Sequence, residues 1–350
     1  MRSRRRKGFS LLGAVTLWLW LLPAVSLAEN EIATARVTFV DETRPTKASG
    51  PFAGSRSRRL DTLVWFPAEG EAVAAGGPYP LILYSHGTYG RPDNATHFCE
   101  DLARNGYIVA APAFPLTSSV SHTKLPSADV SDAGRQPGDV SFVIDSLLAH
   151  PRFGEAIDAD RIGATGISLG GITTYFASFG HPTRDPRIKA SAPIAAGDPA
   201  YAALAFGLGF EGVAPAPVNV PALLLVADAD VFAAVTGGSE ASYVRLRAPR
   251  YMVEIHDAPH VWFGDRDHVP DNDVNPDCLW FQANTGHQPP ICAERRKLID
   301  PAAQKAIVRD ALRNFFDGYL KEDADARSRL ANIAERLDGI TLESDPSPQP

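Results

Sequence analysis

One short segment of this 350-residue sequence has the residue types and spacing of a serine nucleophile. Gly166-Ile-Ser168-Leu-Gly170-Gly171 lies between an apolar run and a helical pattern, and it matches the G-x-S-x-G sequence of a nucleophile elbow. The turn in such an elbow is so tight that its flanking positions must be glycine. It also presents the serine above the free N–H groups and the positive dipole of the next helix. The segment therefore predicts Ser168 as a nucleophile and the backbone N–H of Leu169 as an oxyanion donor.

A serine hydroxyl needs a base that takes its proton, and the sequence contains nine histidines. His260 follows a predicted strand through a short loop, which places it at the strand-end edge that also carries the serine. His256 lies too close to that strand to reach back easily. His268 and His287 fall within an insertion and are expected to be solvated loop residues. His260 is therefore the predicted base.

The acid that orients the histidine should follow the preceding strand, and two aspartates do so. Asp228 ends the predicted strand, whereas Asp230 lies in the loop beyond it, where a carboxylate can turn toward a histidine. We therefore prefer Asp230 and keep Asp228 as the alternative. The chain order Ser168, Asp230, His260 is that of the α/β-hydrolase fold and not that of chymotrypsin or subtilisin.

The second oxyanion donor should come from a loop after the first core strand. The segment Leu83-Tyr-Ser-His86-Gly87-Thr88 supplies such a loop, and the backbone N–H of Thr88 is the predicted donor. His86 has the composition of a catalytic residue, but we expect it to shape this loop instead.

The elements that must position these residues alternate between strand and helix patterns, which indicates an α/β fold with a mostly parallel sheet covered by helices on both faces. Apolar runs predict strands at 34–40, 60–66, 80–84, 107–111, 161–167, 188–194, 220–226 and 251–255. Helical periodicity predicts helices at 95–105, 139–149, 169–179 and 301–320.

These patterns predict a single α/β-hydrolase domain over residues 29–325. Within it, residues 198–217 are rich in Ala, Gly and Pro and are a candidate cap over a pocket. Residues 261–297 form a polar loop insertion before the last helix, and residues 326–350 are expected to be a partly flexible tail.

Residues 1–28 have the pattern of a signal peptide. Five basic residues precede the apolar run 9–22, and Ser26-Leu27-Ala28 is a small-x-small cleavage site. The run is shorter than the roughly 20 residues that span a bilayer, so no stable membrane insertion is expected after cleavage. We expect an exported protein, periplasmic or secreted, with the Sec and twin-arginine routes both open.

Charge and composition restrict the partners. The formal net charge is −7, and removal of the five leader cations gives −7 − 5 = −12. No basic patch lies beyond the first seven residues, so nucleic acid is not an expected partner. With 45% hydrophobic and 21% charged residues, the composition excludes a coiled coil or a disordered chain. No feature of the sequence indicates an oligomeric state.

Three cysteines are too few for a disulfide scaffold and do not have zinc-site spacing. Cys278 and Cys292 lie within the insertion and can pair in an oxidising compartment. Cys99 falls in a predicted helix and is expected to be a buried free thiol. A catalytic cysteine is not expected, because the elbow already holds a serine.

Four polar residues of the insertion alternate like the start of a calcium loop: Asp271, Asp273, Asn275 and Asp277. The sixth position is Pro276 instead of Gly, and the twelfth is Gln282 instead of Glu. We therefore predict no metal and a solvated acidic loop.

Several segments resemble the dienelactone-hydrolase-like esterases, and among these the platelet-activating-factor acetylhydrolase-like branch, which is similar to secreted polyester hydrolases. The matching segments are Tyr84-Ser-His-Gly87, Leu102–Pro112, Asp139–Asp145 and Gly166–Gly171. The resemblance covers residues 60–320 and implies a serine carboxylester hydrolase that acts on small-molecule esters without a cofactor. It differs from true dienelactone hydrolases, whose nucleophile is cysteine, so dienelactone is not the expected substrate.

Two other functions are weighed against ester hydrolysis. A serine peptidase or amidase shares the fold, but no second propeller domain is present to select peptides. A non-catalytic binding protein usually lacks a triad member, whereas all three positions are filled here. Short acyl chains are the expected substrates, and Tyr89 or Trp262 near the pocket could admit aromatic or polyester groups.

Overall fold

A mixed β-sheet runs through residues 30–347, which are the residues that this computed structural model describes. The strands are β1 (Ile32–Asp41), β2 (Arg58–Glu69), β3 (Ala72–Val73), β4 (Tyr79–Ser85), β5 (Ile108–Ala113), β6 (Ile157–Ile167), β7 (Gly180–His181), β8 (Ile188–Ile194), β9 (Ala214–Pro215), β10 (Ala222–Ala227), β11 (Arg250–Ile255) and β12 (Ile340–Asp345). Strands β7 and β9 pair apart from the main sheet.

The main sheet has the strand order β1-β2-β5-β4-β6-β8-β10-β11-β12, with β3 paired to β2. The six central strands from β5 to β11 are parallel to one another, whereas β1, β2 and β12 add antiparallel edges. All seven residues of β4 are buried, as expected for a central strand covered on both faces. The carboxyl ends of the six parallel strands therefore lie along one edge, where the loops of a site can meet.

Helices cover both faces of this sheet. They are α1 (Thr96–Arg104), α2 (Gln136–Leu148), α3 (Leu169–Phe179), α4 (Pro199–Ala205), α5 (Val231–Thr236), α6 (Glu240–Arg245), α7 (Pro276–Thr285), α8 (Pro301–Leu320), α9 (Ala324–Ala331) and α10 (Ile333–Arg336). Apolar residues of α1 and α8 form one buried cluster with the sheet, and those of α2 form another. A third cluster joins α3 to β10.

The predicted α/β class with a mostly parallel sheet is confirmed. Each of the eight predicted strands and four predicted helices has a counterpart, and the bounds of α3, β8 and α8 agree with prediction to the residue. None of the helices in the described range is long and apolar enough to cross a membrane. The predicted signal peptide, residues 1–28, lies outside the described residues.

The chain after residue 325, predicted to be a partly flexible tail, differs from that expectation as far as residue 347. Helix α9 buries Ala326 and Leu330 against the core, and β12 pairs with β11 over six residues. The candidate cap 198–217 contains α4 and β9, and the insertion 261–297 contains α7.

Candidate active site

Ser168 lies at the sharp turn between β6 and α3, with φ 60° and ψ −123°. The glycines around it have no room for a side chain. A Cβ on Gly166 would lie 2.4 Å from the Gly170 carbonyl oxygen, and one on Gly170 would lie 2.0 Å from that of Ser85. This geometry is that of a nucleophile elbow, with the serine at the carboxyl end of a central strand.

Asp230 and His260 meet at the same edge of the sheet. Asp230 follows β10 and His260 follows β11, and His260 Nδ1 lies 2.7 Å from Asp230 Oδ2. The two residues are only 4% and 7% exposed. The second oxygen of Asp230 accepts the N–H groups of Phe232 and Ala233 and so caps α5. The carboxylate is therefore fixed from both sides, with one oxygen left for the imidazole.

The alternative acid and base have other partners. Asp228 accepts the backbone N–H of Asp257 and forms an ion pair with Arg296. The Nε2 of His256 lies 2.7 Å from the Thr341 hydroxyl oxygen, at the outer edge of the sheet. The structure thus brings Asp230 to His260, and it does not bring Asp228 or His256 there.

His86 is buried beneath the loop that follows β4. Its Nδ1 hydrogen-bonds the Gly87 carbonyl at 2.8 Å, and its Nε2 accepts the N–H of Phe114. Burial lowers the pKa of His86 to about 4, so the ring is neutral at neutral pH. Both nitrogens have backbone partners, as expected for a residue that shapes the loop.

The loop after β4 passes directly against the elbow. A Cβ on Gly87 would lie 3.3 Å from Ser168 Cβ, which places the start of this loop, just before Thr88, against the serine. Strand β4 lies between β5 and β6, at the point where the strand order reverses, and ligands of open α/β sheets bind at such points. Leu169 is the first residue of α3, so its N–H has no acceptor within the helix.

The hydrogen bonds of the described residues include none between Ser168 Oγ and His260. Contacts of this kind are often long before substrate binds. The strands that carry the three residues, β6, β10 and β11, are parallel and separated only by β8. The fold therefore places the three predicted residues at one edge, with Asp230 and His260 already in contact.

The ionisation of His260 depends on two opposing effects. Burial by itself lowers the pKa of the imidazole, but the adjacent Asp230 carboxylate and its hydrogen bond outweigh this, with a smaller contribution from Asp277. The pKa of His260 is therefore raised above 6.5. Because only the neutral ring can take a proton, a base at this position works above that pKa.

We accordingly expect kcat/KM for an ester substrate to fall on the acidic side with a midpoint above pH 6.5. The profile is measured with a neutral ester between pH 5 and 9. It reports the coupled titration of His260 and Asp277. Asp228→Asn should leave the midpoint in place, and a wild-type midpoint below 6.5 would contradict this prediction.

A pocket of about 480 Å³ adjoins the loops of His260 and Thr88. Trp262 in its wall is fully buried and donates its indole N–H to the His268 carbonyl, whereas Tyr89 is 40% exposed. The lining residues are Thr88, Tyr89, Val261, Trp262, Arg266, His268, Pro276, Leu279, Trp280, Ala283 and Asn284. The pocket lining thus combines aromatic and aliphatic side chains with a few polar ones.

The candidate cap 198–217 contributes none of these lining residues. Its Leu208 and Phe210 are buried, and the Phe210 ring stacks on Phe176 of α3 at 4.2 Å. The insertion 261–297 instead forms most of the wall. The segment that shapes the pocket is therefore the one after β11.

Asp277 is a residue of this site that the sequence analysis missed. It was predicted to belong to a solvated acidic loop, but it is fully buried, and its carboxylate accepts three backbone N–H groups near Asp230 and His260. The signal was present, because Asn275-Pro276 is a typical helix start: Asn275 caps α7 and Pro276 is its first residue. Asp271 and Asp273 are exposed as predicted.

The insertion is closed by a disulfide between Cys278 and Cys292, which confirms the predicted pairing. Its sulfurs pack with Val231 in a small buried cluster. Cys99 is a buried free thiol, as predicted, and burial raises the pKa of that thiol well above its usual value.

Two known proteins resemble this chain. No protein-family model matches the chain. A protein of Methylorubrum extorquens that carries the provisional name carboxymethylenebutenolidase is 27% identical over 184 residues, which are 52% of this chain and 62% of the relative. The match thus spans less than two thirds of that relative.

Among solved structures, the ferulic acid esterase from Streptomyces cinnamoneus superposes with a TM-score of 0.65 at 21% identity. The superposition covers 93% of this chain and 98% of the esterase. The two comparisons confirm the resemblance to dienelactone-hydrolase-like proteins and the α/β-hydrolase fold. The closer resemblance to the platelet-activating-factor acetylhydrolase-like branch stays a prediction.

Proposed function

We propose that this α/β-hydrolase is a serine esterase that cleaves small carboxylic esters through an acyl-enzyme. The observation that carries the proposal is the buried Asp230–His260 pair, at 2.7 Å, on the sheet edge that presents Ser168 at a nucleophile elbow. Nucleophile, base and orienting acid are the parts that acyl transfer requires. The esterase neighbour and the carboxymethylenebutenolidase-like relative support the reaction class.

In the proposed mechanism, Ser168 Oγ attacks the ester carbonyl while His260 Nε2 takes its proton. Asp230 holds the Nδ1–H and stabilises the imidazolium that forms. The N–H groups of Leu169 and Thr88 bind the oxyanion, and loss of one such donor costs about 10²–10³ in rate. The imidazolium then protonates the leaving alcohol. Water activated by the same histidine attacks the acyl-enzyme and releases the acid, so no step needs a cofactor.

We also propose that the protein is exported. The N-terminal pattern of a basic segment, an apolar run and a small-residue cleavage site supports this, and so does the Cys278–Cys292 disulfide, because such bonds persist in oxidising compartments. Sec and twin-arginine export both remain compatible with the sequence.

A panel of p-nitrophenyl esters and matching p-nitroanilides tests the proposed reaction. We expect hydrolysis of the esters and little or none of the anilides, since amides are the less reactive substrates. Preferential anilide cleavage would instead identify a peptidase or amidase. Binding of an ester without turnover would identify a hydrolase-fold binding protein.

The pocket predicts which esters are preferred. We expect the polar side chains of Thr88, Arg266 and Asn284 among the lining residues to limit the burial of a long alkyl chain, and each added CH₂ gains only about 0.8 kcal/mol where it is buried. We expect kcat/KM to peak at acetyl to hexanoyl esters, with aromatic acyl groups also accepted beside Trp262 and Trp280. A series from acetyl to palmitoyl esters, measured below and above the solubility limit, checks this.

Two variants test whether the pocket wall determines the preference among esters. Trp280→Ala should lower kcat/KM for aromatic esters more than for acetyl esters. Phe206→Ala alters an exposed aromatic residue of the 198–217 segment. It should change kcat/KM for neither class of ester. A maximum at dodecanoyl or longer esters, with a rate increase on emulsified substrate, would indicate a lipase instead.

A further inference from the structure

We propose that Asp277 is a positioning residue: its buried carboxylate ties the loop that carries Asp230 to the loop that carries His260, and the Cys278–Cys292 disulfide holds it there. The proposal rests on the function proposed above, because it concerns the geometry of that acid–base pair. Asp277 does not contact the reacting atoms and acts only through the two loops.

The carboxylate of Asp277 bridges the two loops directly. Its Oδ2 accepts the N–H of Val231 at 3.1 Å and the N–H of His260 at 2.8 Å, and its Oδ1 accepts the N–H of Val261 at 3.0 Å. Val231 is the residue immediately after Asp230. One side chain thus fixes the backbone on both sides of the 2.7 Å contact between acid and base.

These three N–H groups are at the starts of a helix and of a 3₁₀ turn, where the backbone supplies no acceptor. Val231 begins α5, and His260 and Val261 begin the turn His260–Phe263. Asp230 caps the next two N–H groups of α5 but does not accept that of Val231. Only a carboxylate can accept all three at once, since an amide has a single acceptor oxygen.

Helix α7 is in turn fastened to the loop of the acid. Asn275 accepts the N–H of Asp277 and donates its amide to the Ala229 carbonyl at 2.7 Å. The disulfide joins Cys278, the next residue after Asp277, to Cys292 and packs on Val231. The disulfide therefore restrains the backbone directly beside Asp277 and so limits the movement of its carboxylate.

Aromatic rings of α7 extend this support to the imidazole. The Phe232 ring lies 4.3 Å from the His260 ring and is packed by Trp280 and Phe281 of α7 at 4.9 and 4.6 Å. The charged groups that act on His260 are Asp230 and Asp277, and the Phe232 ring also packs against the imidazole. The imidazole is thus held by two carboxylates and an aromatic cluster. Helix α7 provides Asp277, Trp280 and Phe281 of this set, and Asp230 and Phe232 follow β10.

The ionisation of Asp277 agrees with this environment. Burial and the nearby Asp230 charge raise its pKa to about 6, although the His260 ring and the backbone N–H groups favour the charged form. At neutral pH Asp277 therefore adds a negative charge beside His260, which helps to raise the pKa of that histidine.

The test compares Asp277→Asn with Asp273→Asn, which removes the same charge from an exposed position of the same segment. For Asp277→Asn we expect kcat to fall about 10²-fold, as displaced catalytic groups do, with KM unchanged. We also expect the acidic midpoint of kcat/KM to move to lower pH, because a negative charge near His260 is lost. Asp273→Asn should have the wild-type kcat and the wild-type acidic midpoint.

The pH shift distinguishes positioning from a general loss of stability. A variant that only unfolds more easily keeps the wild-type midpoint in its folded fraction. If Asp277→Asn retains the wild-type kcat and midpoint, the proposal is overturned. If wild type hydrolyses no ester, or an organophosphate does not label Ser168, the proposed function itself fails, which is a separate result.

The disulfide supplies a second test that stands even if Asp277→Asn does not fold. Reduction of the wild-type protein with a phosphine should lower kcat, and reoxidation should restore it. Where Asp277→Asn does fold, its effect and that of Cys278→Ala/Cys292→Ala should combine less than additively, because both loosen the same contact. Unchanged kcat after complete reduction, verified by thiol counting, would overturn the role assigned to the disulfide.

Discussion

Replacement of Ser168 by alanine is expected to abolish ester hydrolysis while the fold stays intact. Loss of the nucleophile removes the acyl-enzyme route, and removing a triad serine lowers kcat by about 10⁶-fold. The residual rate comes from the oxyanion donors and from substrate binding. The Ser168 side chain makes no cap hydrogen bond to α3, so the thermal midpoint should not change.

The measurement pairs steady-state kinetics with mass spectrometry after treatment with a serine-directed organophosphate. The reagent should add to Ser168 and to no other serine. Ser178→Ala is the matched control, because Ser178 lies on the same helix and its buried hydroxyl has no hydrogen-bond partner. Labelling of a different serine, or a Ser168→Ala variant with a tenth of the wild-type rate, would remove Ser168 from the site.

The elbow at Ser168 could be predicted from the sequence because its constraints are mainly local. Gly166 and Gly170 are required by contacts within a few residues of Ser168 or with the adjoining strand end at Ser85. The contact between Asp230 and His260 could be predicted because parallel strands align their carboxyl ends at one edge. Such alignment requires parallel strands followed by short loops, and the alternation of strand and helix patterns predicts a parallel sheet.

Asp277 could not be assigned from the sequence, because its role depends on tertiary contacts. Its partner Val231 is 46 residues away, and the insertion must fold back across the site before the two meet. Alternating acidic residues in a polar stretch are more typical of a solvated loop. Buried Asp277 differs from exposed Asp271 and Asp273 only in its position at the start of α7.

Helix α5 and strand β12 could not be predicted from the sequence for a related reason. Helix α5 has six residues, too few to show helical periodicity, and its start depends on the Asp230 cap. Strand β12 has few apolar residues because it is an antiparallel edge strand with one mainly solvated face. Its pairing partner β11 is far earlier in the sequence, so the tail gave no local sign of a strand.

The second large effect is expected from Asp230→Asn. Loss of the orienting carboxylate lowers kcat by about 10⁴-fold in serine hydrolases. An asparagine oxygen can still accept the N–H groups of Phe232 and Ala233, and asparagine is a good N-cap residue, so α5 should keep its start. The fold, the unfolding midpoint and KM should therefore change little.

The chemistry fails because the asparagine amide would face His260 Nδ1 as a donor. The ring would then accept at Nδ1 and carry its proton on Nε2, the nitrogen that must take the serine proton. The variant should also lose the raised pKa of His260, because the adjacent negative charge supports it. Its acidic midpoint should thus lie below that of wild type.

Asp228→Asn is the matched control, since it makes the same chemical change two residues earlier. The Asp228 carboxylate binds Arg296 and the Asp257 backbone at the surface, so its loss should alter kcat only slightly. The opposite ranking of the two variants would transfer the acid role to Asp228. Combined with Ser168→Ala, Asp230→Asn should add little further loss, because an acid that acts only through the histidine has no function once the nucleophile is gone.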